Sequence, residues 1–170
     1  YPFDFKWSRG SIKIDDGKKK QIKIRIKGAR SIHWKDEKYS SYRVRVRKNE
    51  KIKGTDVFSL QKPRARNYLH EWIFHKLLNE LGLISINYEF VKLIKNGESK
   101  GIYAFEESFS NEVIERNKRR NGPIFSLDEQ YSVNQKNSFV EVYDEKLWGN
   151  LNITKIASKK IEEIFKDNIE

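Results

Sequence analysis

The sequence predicts an α+β fold, and three observations carry that prediction. Residues 22–27 and 42–47 alternate strictly between apolar and basic side chains, the period-two pattern of a strand with one face buried. Residues 64–81 change to apolar side chains three and four apart, at Leu69, Trp72, Ile73, Leu77, Leu78 and Leu81, the stripe of an amphipathic helix. Between the apolar-rich runs 87–95 and 100–105 stands Asn96-Gly97, a strong signal for a type I′ hairpin turn, whose two central residues both need positive φ.

The remaining elements follow from local chemistry. Residues 7–14 and 21–27 read as strands parted by the turn cluster Asp15-Asp16-Gly17, and 52–60, broken at Gly54, as one strand or two. Pro63 ends the β part. Gly82 is placed to close the helix over 64–81 as its C′ residue, with Leu69, Ile73, Leu77 and Leu81 expected on its buried stripe. A polar helix is expected over 111–120, stopped by Asn121-Gly122-Pro123, then short strands at 124–127 and 139–143, a loop at 131–138 and a last helix over 152–166.

Composition narrows the function classes. With 37% hydrophobic and 13% aromatic residues in 170, the chain can fill a core despite 35% charge. No apolar run approaches about 18 residues, so no transmembrane helix is expected, and no signal peptide is visible at Tyr1. There is no Cys, which excludes disulfides and thiolate chemistry. There is no Met either, and the last helix ends without a cap, so a processed protein or a fragment is expected. The net charge of +11 favours polyanionic partners, including nucleotide phosphates and nucleic acid, without choosing among them.

Four groups of residues could carry chemistry. The turn Gly28-Ala29-Arg30-Ser31 offers backbone N–H groups and a hydroxyl to a phosphate, or is an ordinary surface loop. Arg43, Arg45 and Arg47 share one face of their strand, as do Lys23, Arg25 and Lys27 of the earlier one. If these strands pair, six cations line a face that is either solvated or binds phosphate. On the helix, Glu71 and His75 lie four apart on one face, and Glu71 is expected to pair with Arg43 or Arg45. His70 and His75 are too far apart in helical phase for a zinc site. Glu106 and Glu107 end the second hairpin strand, where carboxylates are either exposed or aimed at a ligand.

Residues 91–107, with Asn96-Gly97-Glu98, Gly101-Ile102-Tyr103-Ala104 and Glu106-Glu107, resemble the central motif of the CotH kinase family, the spore coat protein H-like atypical kinases. Upstream, Phe58-Ser59-Leu60-Gln61-Lys62-Pro63-Arg64-Ala65-Arg66-Asn67-Tyr68 and Glu71-Trp72-Ile73-Phe74-His75 extend the likeness. Downstream it continues through 115–125 to Asp128-Glu129, so that it spans about 22–129. The element order is also that of a protein-kinase small lobe passing through its hinge. The resemblance implies a small lobe and hinge over 1–107, with the start of a helical large lobe over 108–170.

It further implies ATP and Mg²⁺ as cofactors, and phosphate transfer to Ser or Thr of a surface-associated or extracellular protein. Lys27 stands where the family has Arg in an Arg-Gly-x-x-Ser segment over the nucleotide, and Gly28 and Ser31 keep register with it. Ser41-Tyr42-Arg43 resembles the family's Ser-Tyr-Lys segment, which makes Arg43 the first phosphate-binding cation and Arg45 the second, with Glu71 as their kinase-like partner. Glu106 matches the hinge carboxylate, to bind ribose or to anchor the Arg-rich helix. No segment matches the family's metal-binding carboxylates, and Asp128, Asp144 and Asp167 lack that context. Mg²⁺ ligands are therefore expected outside this chain, which would bind nucleotide weakly and transfer no phosphate. The rivals are a surface-assembly domain that keeps the fold without chemistry, and a basic nucleic-acid-binding module using Trp34, Tyr39 and Tyr42. The second has neither a ribonucleoprotein motif nor a zinc motif to support it.

Overall fold

The structure, a computed structural model, describes residues 5–28, 31–120, 122–127, 140–143 and 151–166. The chain divides into two compact units, 1–119 and 120–170, so the lobe boundary expected after Glu107 lies inside the first.

The alternating segments of the first unit form the strands β1 (Ser8–Ile12), β2 (Lys20–Ile26), β3 (Tyr42–Val46) and β4 (Val57–Gln61). The hairpin supplies β5 (Tyr88–Lys95) and β6 (Glu98–Glu107). They make one antiparallel sheet in the order β1-β2-β3-β4-β6-β5. Asn96 and Gly97 have φ of 53° and 82°, and Lys95 pairs with Glu98 across them, the two-residue turn read from the sequence.

Alternation sorts the side chains. Ile22, Tyr42, Val44, Val46, Phe58, Leu60, Tyr103 and Phe105 form one buried cluster, onto which both edge strands place side chains: Ile12 from β1, Val91 and Leu93 from β5. The sheet therefore curls around its own apolar face. Phe58 and Phe105 lie with ring centroids 4.6 Å apart. The Tyr103 hydroxyl donates to the Ser40 carbonyl at 3.1 Å, so this deeply buried phenol keeps a partner.

The helix expected over 64–81 is shorter and differently faced. Pro63–Arg66 is a 3-10 turn, and Asn67 and Tyr68 follow with φ of 48° and 59°, a left-handed pair that no α-helix spans. The helix α1 is His70–Glu80. It closes through Gly82 N–H to the Asn79 carbonyl and Leu83 N–H to the Leu78 carbonyl, the Schellman pattern. Leu69, Ile73, Leu77 and Leu81 are all more than half exposed, contrary to expectation. The side of α1 that is partly buried carries Glu71, Trp72, His75 and Leu78, and His75 stacks on Tyr88 of β5 at 5.8 Å. Periodicity finds a stripe, but it does not say which side of the helix meets the sheet.

The polar helix α2 is Asn111–Arg116, shorter than expected because Lys118 has φ of 54°. In the second unit β7 (Ile124–Leu127) pairs antiparallel with β8 (Val140–Tyr143). The last helix, α3 (Asn152–Lys166), packs against β8. The loop expected at 131–138 lies outside the described residues.

Candidate functional site

Strand pairing builds the site before any side chain is considered. Arg25 lies opposite Arg43, Arg43 opposite Ser59, Ser59 opposite Glu106, and Glu106 opposite Tyr88. These five residues make one rung across five strands, on the face away from the apolar core. Lys27 continues the same face beyond β2, and Gln61 ends β4 beside it. The pairing of the two basic strands expected from the sequence is thus present.

Lys27 meets a carboxylate. Its Nζ lies 3.0 and 3.1 Å from the two Glu106 oxygens and 3.5 Å from Gln61 Oε1. Gln61 Nε2 donates to the second Glu106 oxygen. Both charged side chains are largely buried, 18% and 15% exposed, and Gln61 is wholly buried. Burial holds the Lys27 ammonium below its ordinary value of 10.5, and the Glu106 charge partly offsets this. Arg43 donates to the Ser59 hydroxyl at 3.2 Å.

The turn after β2 packs against this cluster. Gly28 has φ of 98°, and a Cβ there would stand 2.4 Å from His33 Cδ2, so the ring lies directly on the glycine backbone. His33 Nδ1 is 3.1 Å from Ser41 Oγ. Its pKa is lowered from 6.5 by burial, then by the positive charges of Lys27 and Arg66, which leaves the ring neutral at pH 7. Ser31 opens a 3-10 turn, its carbonyl accepting from the N–H groups of Trp34 and Lys35. Ala29 and Arg30, between Gly28 and Ser31, lie outside the described residues.

Two expected partnerships fall elsewhere. Glu71 stands not beside Arg43 or Arg45 but 3.5 Å from the His75 ring. Arg45 instead stands 5.3 Å from the centre of the Trp7 ring, which Arg25 also approaches at 5.2 Å. The helix does pack on the charged face, as that pairing would have required. Its Glu71, together with Glu106, helps burial push the Tyr88 phenol up to about 12. The two carboxylates that end β6 also divide their expected roles. Glu106 serves the Lys27 cluster, while the fully buried Glu107 takes Arg116 of α2 in a two-pronged pair and accepts from Asn87 N–H at 2.8 Å. Anchoring of the basic helix therefore belongs to Glu107.

Gln61, Ser59 and Arg66, which the motif over 58–68 contains without an assigned role, complete the site together with His33. Ser59 and Gln61 had a legible signal: polar residues at alternate positions between the buried Phe58 and Leu60 place a polar face on β4. His33 sits in an irregular turn and had none.

A model of the family described as CotH kinase protein matches residues 24–167. The chain belongs to the CotH family. The match takes in the Lys27 cluster, Glu106, Glu107 and α1, and it runs beyond the motif likeness at 129 to α3. No curated protein matches the chain. No helix among the described residues is long and apolar enough to cross a membrane.

Proposed function

We propose that the CotH chain binds ATP on the charged face of its sheet, as the nucleotide-binding part of a kinase that phosphorylates Ser or Thr of a protein. The observation that carries this reading is the Lys27–Glu106 pair beside Gly28. A kinase small lobe needs a cation held in place by a carboxylate beneath a glycine turn, and here the pair runs from the end of β2 to β6. Around the pair Arg43, Arg66 and Lys62 outnumber the carboxylates Asp36 and Glu71, so the local field favours an anion.

Each residue then has a defined task. Glu106 and Gln61 hold the ammonium of Lys27 in place, and the N–H that reaches Gln61 Oε1 only at 3.5 Å is the one that would turn to a phosphate oxygen. Arg43, oriented by Ser59, adds a second donor. Gly28 lets the backbone approach where a side chain would strike His33. Among the described residues no three His, Asp or Glu side chains converge on a metal site. Asp128, Glu129, Asp144 and Asp167 lie outside the described residues. The residues at hand hold and orient phosphate.

Equilibrium binding of labelled ATP, with and without Mg²⁺, tests the reading. Saturable binding that Lys27→Gln abolishes supports it. A folded chain with no measurable nucleotide binding under either condition favours the surface-assembly alternative, in which the CotH fold is kept without chemistry.

A further inference from the structure

The charged face does not stop at the Lys27 cluster. Four residues up β2, about 13 Å away at the rise of a strand, a groove of about 550 Å³ is lined by Arg9, Lys23, Arg45, Arg47 and Lys48, with no carboxylate in its lining. Arg9 lies opposite Lys23, and Lys23 opposite Arg45. Like charges placed directly across strands repel and destabilise a sheet. None of the five has an ion-pair partner among the described residues, and all are exposed. The arrangement carries an electrostatic cost that an anionic partner would relieve.

We infer that this groove docks an acidic, extended segment of a protein, one rich in Asp, Glu or phosphorylated residues. Charge complementarity selects an anion. The absence of an aromatic lining selects among anions: single-stranded nucleic acid is held by bases stacked on aromatic side chains, and the groove lining contains none. Trp7, beside Arg45, is already approached by Arg25 and Arg45. Cations at alternate positions of β2 and β3 also match the repeat of side chains along an extended peptide, about 6.6 Å for every second residue. That the segment belongs to the kinase's own substrate, with acidic residues about four positions from the phosphate acceptor, rests on the proposed function. The docking surface itself does not.

Fluorescence anisotropy of the CotH chain with a short labelled peptide alternating Glu and Ser, without nucleotide, tests the inference. The expected result is salt-sensitive binding, weakened at least about tenfold by Lys23→Glu with Arg47→Glu. Lys13→Glu with Lys18→Glu, an equal charge change outside the groove, should leave it within about twofold. If the double reversal does not fold, Lys23→Ala with Arg47→Ala should give the same loss in smaller measure. Equal loss from both reversed pairs would overturn the inference, since net charge alone would then explain binding. So would tighter binding of an oligothymidylate, or capture only by anionic vesicles. Peptide binding that persists while ATP binding is absent would remove the proposed function and leave the docking surface standing.

Discussion

Lys27 Nζ lies 3.0 Å from Glu106 Oε1, although 79 residues separate them in the chain. The strand order β2-β3-β4-β6 brings them together across β3 and β4: Ser59 of β4 lies opposite Glu106, and Gln61 bridges to it. A largely buried ion pair stabilises little overall but costs much when halved. Lys27→Ala, which leaves Glu106 with Gln61 alone, is expected to lower stability by about 3 kcal/mol. Glu106→Gln with Lys27→Gln together should cost distinctly less than the sum of the two single changes. Urea unfolding of the three variants measures this coupling.

Gly28 should tolerate no side chain. Its φ of 98° is unfavourable for an L residue, and the His33 ring occupies the Cβ position. Gly28→Ala is expected to cost about 1–3 kcal/mol. Adding His33→Ala relieves the clash and leaves the backbone strain, so the double variant should recover only part of the loss in a thermal melt.

Acid should weaken the first unit through its neutral histidines. Burial lowers the pKa of both His33 and His75 from 6.5. The unfolded chain therefore binds protons first as the pH falls below 6.5, and the advantage of the neutral rings is lost as pH drops through their folded values. Urea midpoints should fall between about pH 7.5 and about pH 5, the range in which histidine titrates. His75→Phe, which keeps a ring against Tyr88, should reduce that fall.

The exposed stripe of α1 should be nearly silent. Leu77 is 54% exposed, so Leu77→Ala is expected to cost below about 1 kcal/mol, against about 3–5 kcal/mol for Phe58→Ala in the closed core. Equal losses in urea unfolding would mean that Leu77 is covered in solution.

Much of this architecture was readable in the sequence because it rests on period and turn chemistry. Strict alternation at Lys23, Arg25 and Lys27 and at Arg43, Arg45 and Arg47 gave two strands and their charged face, and Asn96-Gly97 gave the hairpin. The site was only partly readable. Its cations were on the page, but which of them meets a carboxylate depends on strand order. Local pattern does not encode that β4 pairs with β6, which brings Glu106 to Lys27 and leaves Glu71 to His75. The left-handed pair Asn67 and Tyr68 was equally hidden, since neither is Gly, and with it the true start and facing of α1. Asp128 and Asp144, which the metal question turns on, lie outside the described residues.

The central claim is that Lys27, held by Glu106 and Gln61, is the phosphate-binding cation of this CotH chain. Calorimetric titration of ATP into the wild-type chain and into Lys27→Gln, with folding of both confirmed by circular dichroism, tests it most directly. The account predicts a loss of at least about tenfold in affinity, about 1.4 kcal/mol, with ATP affinity largely kept in the groove variant Lys23→Glu with Arg47→Glu. Unchanged ATP affinity in a folded Lys27→Gln chain would contradict it.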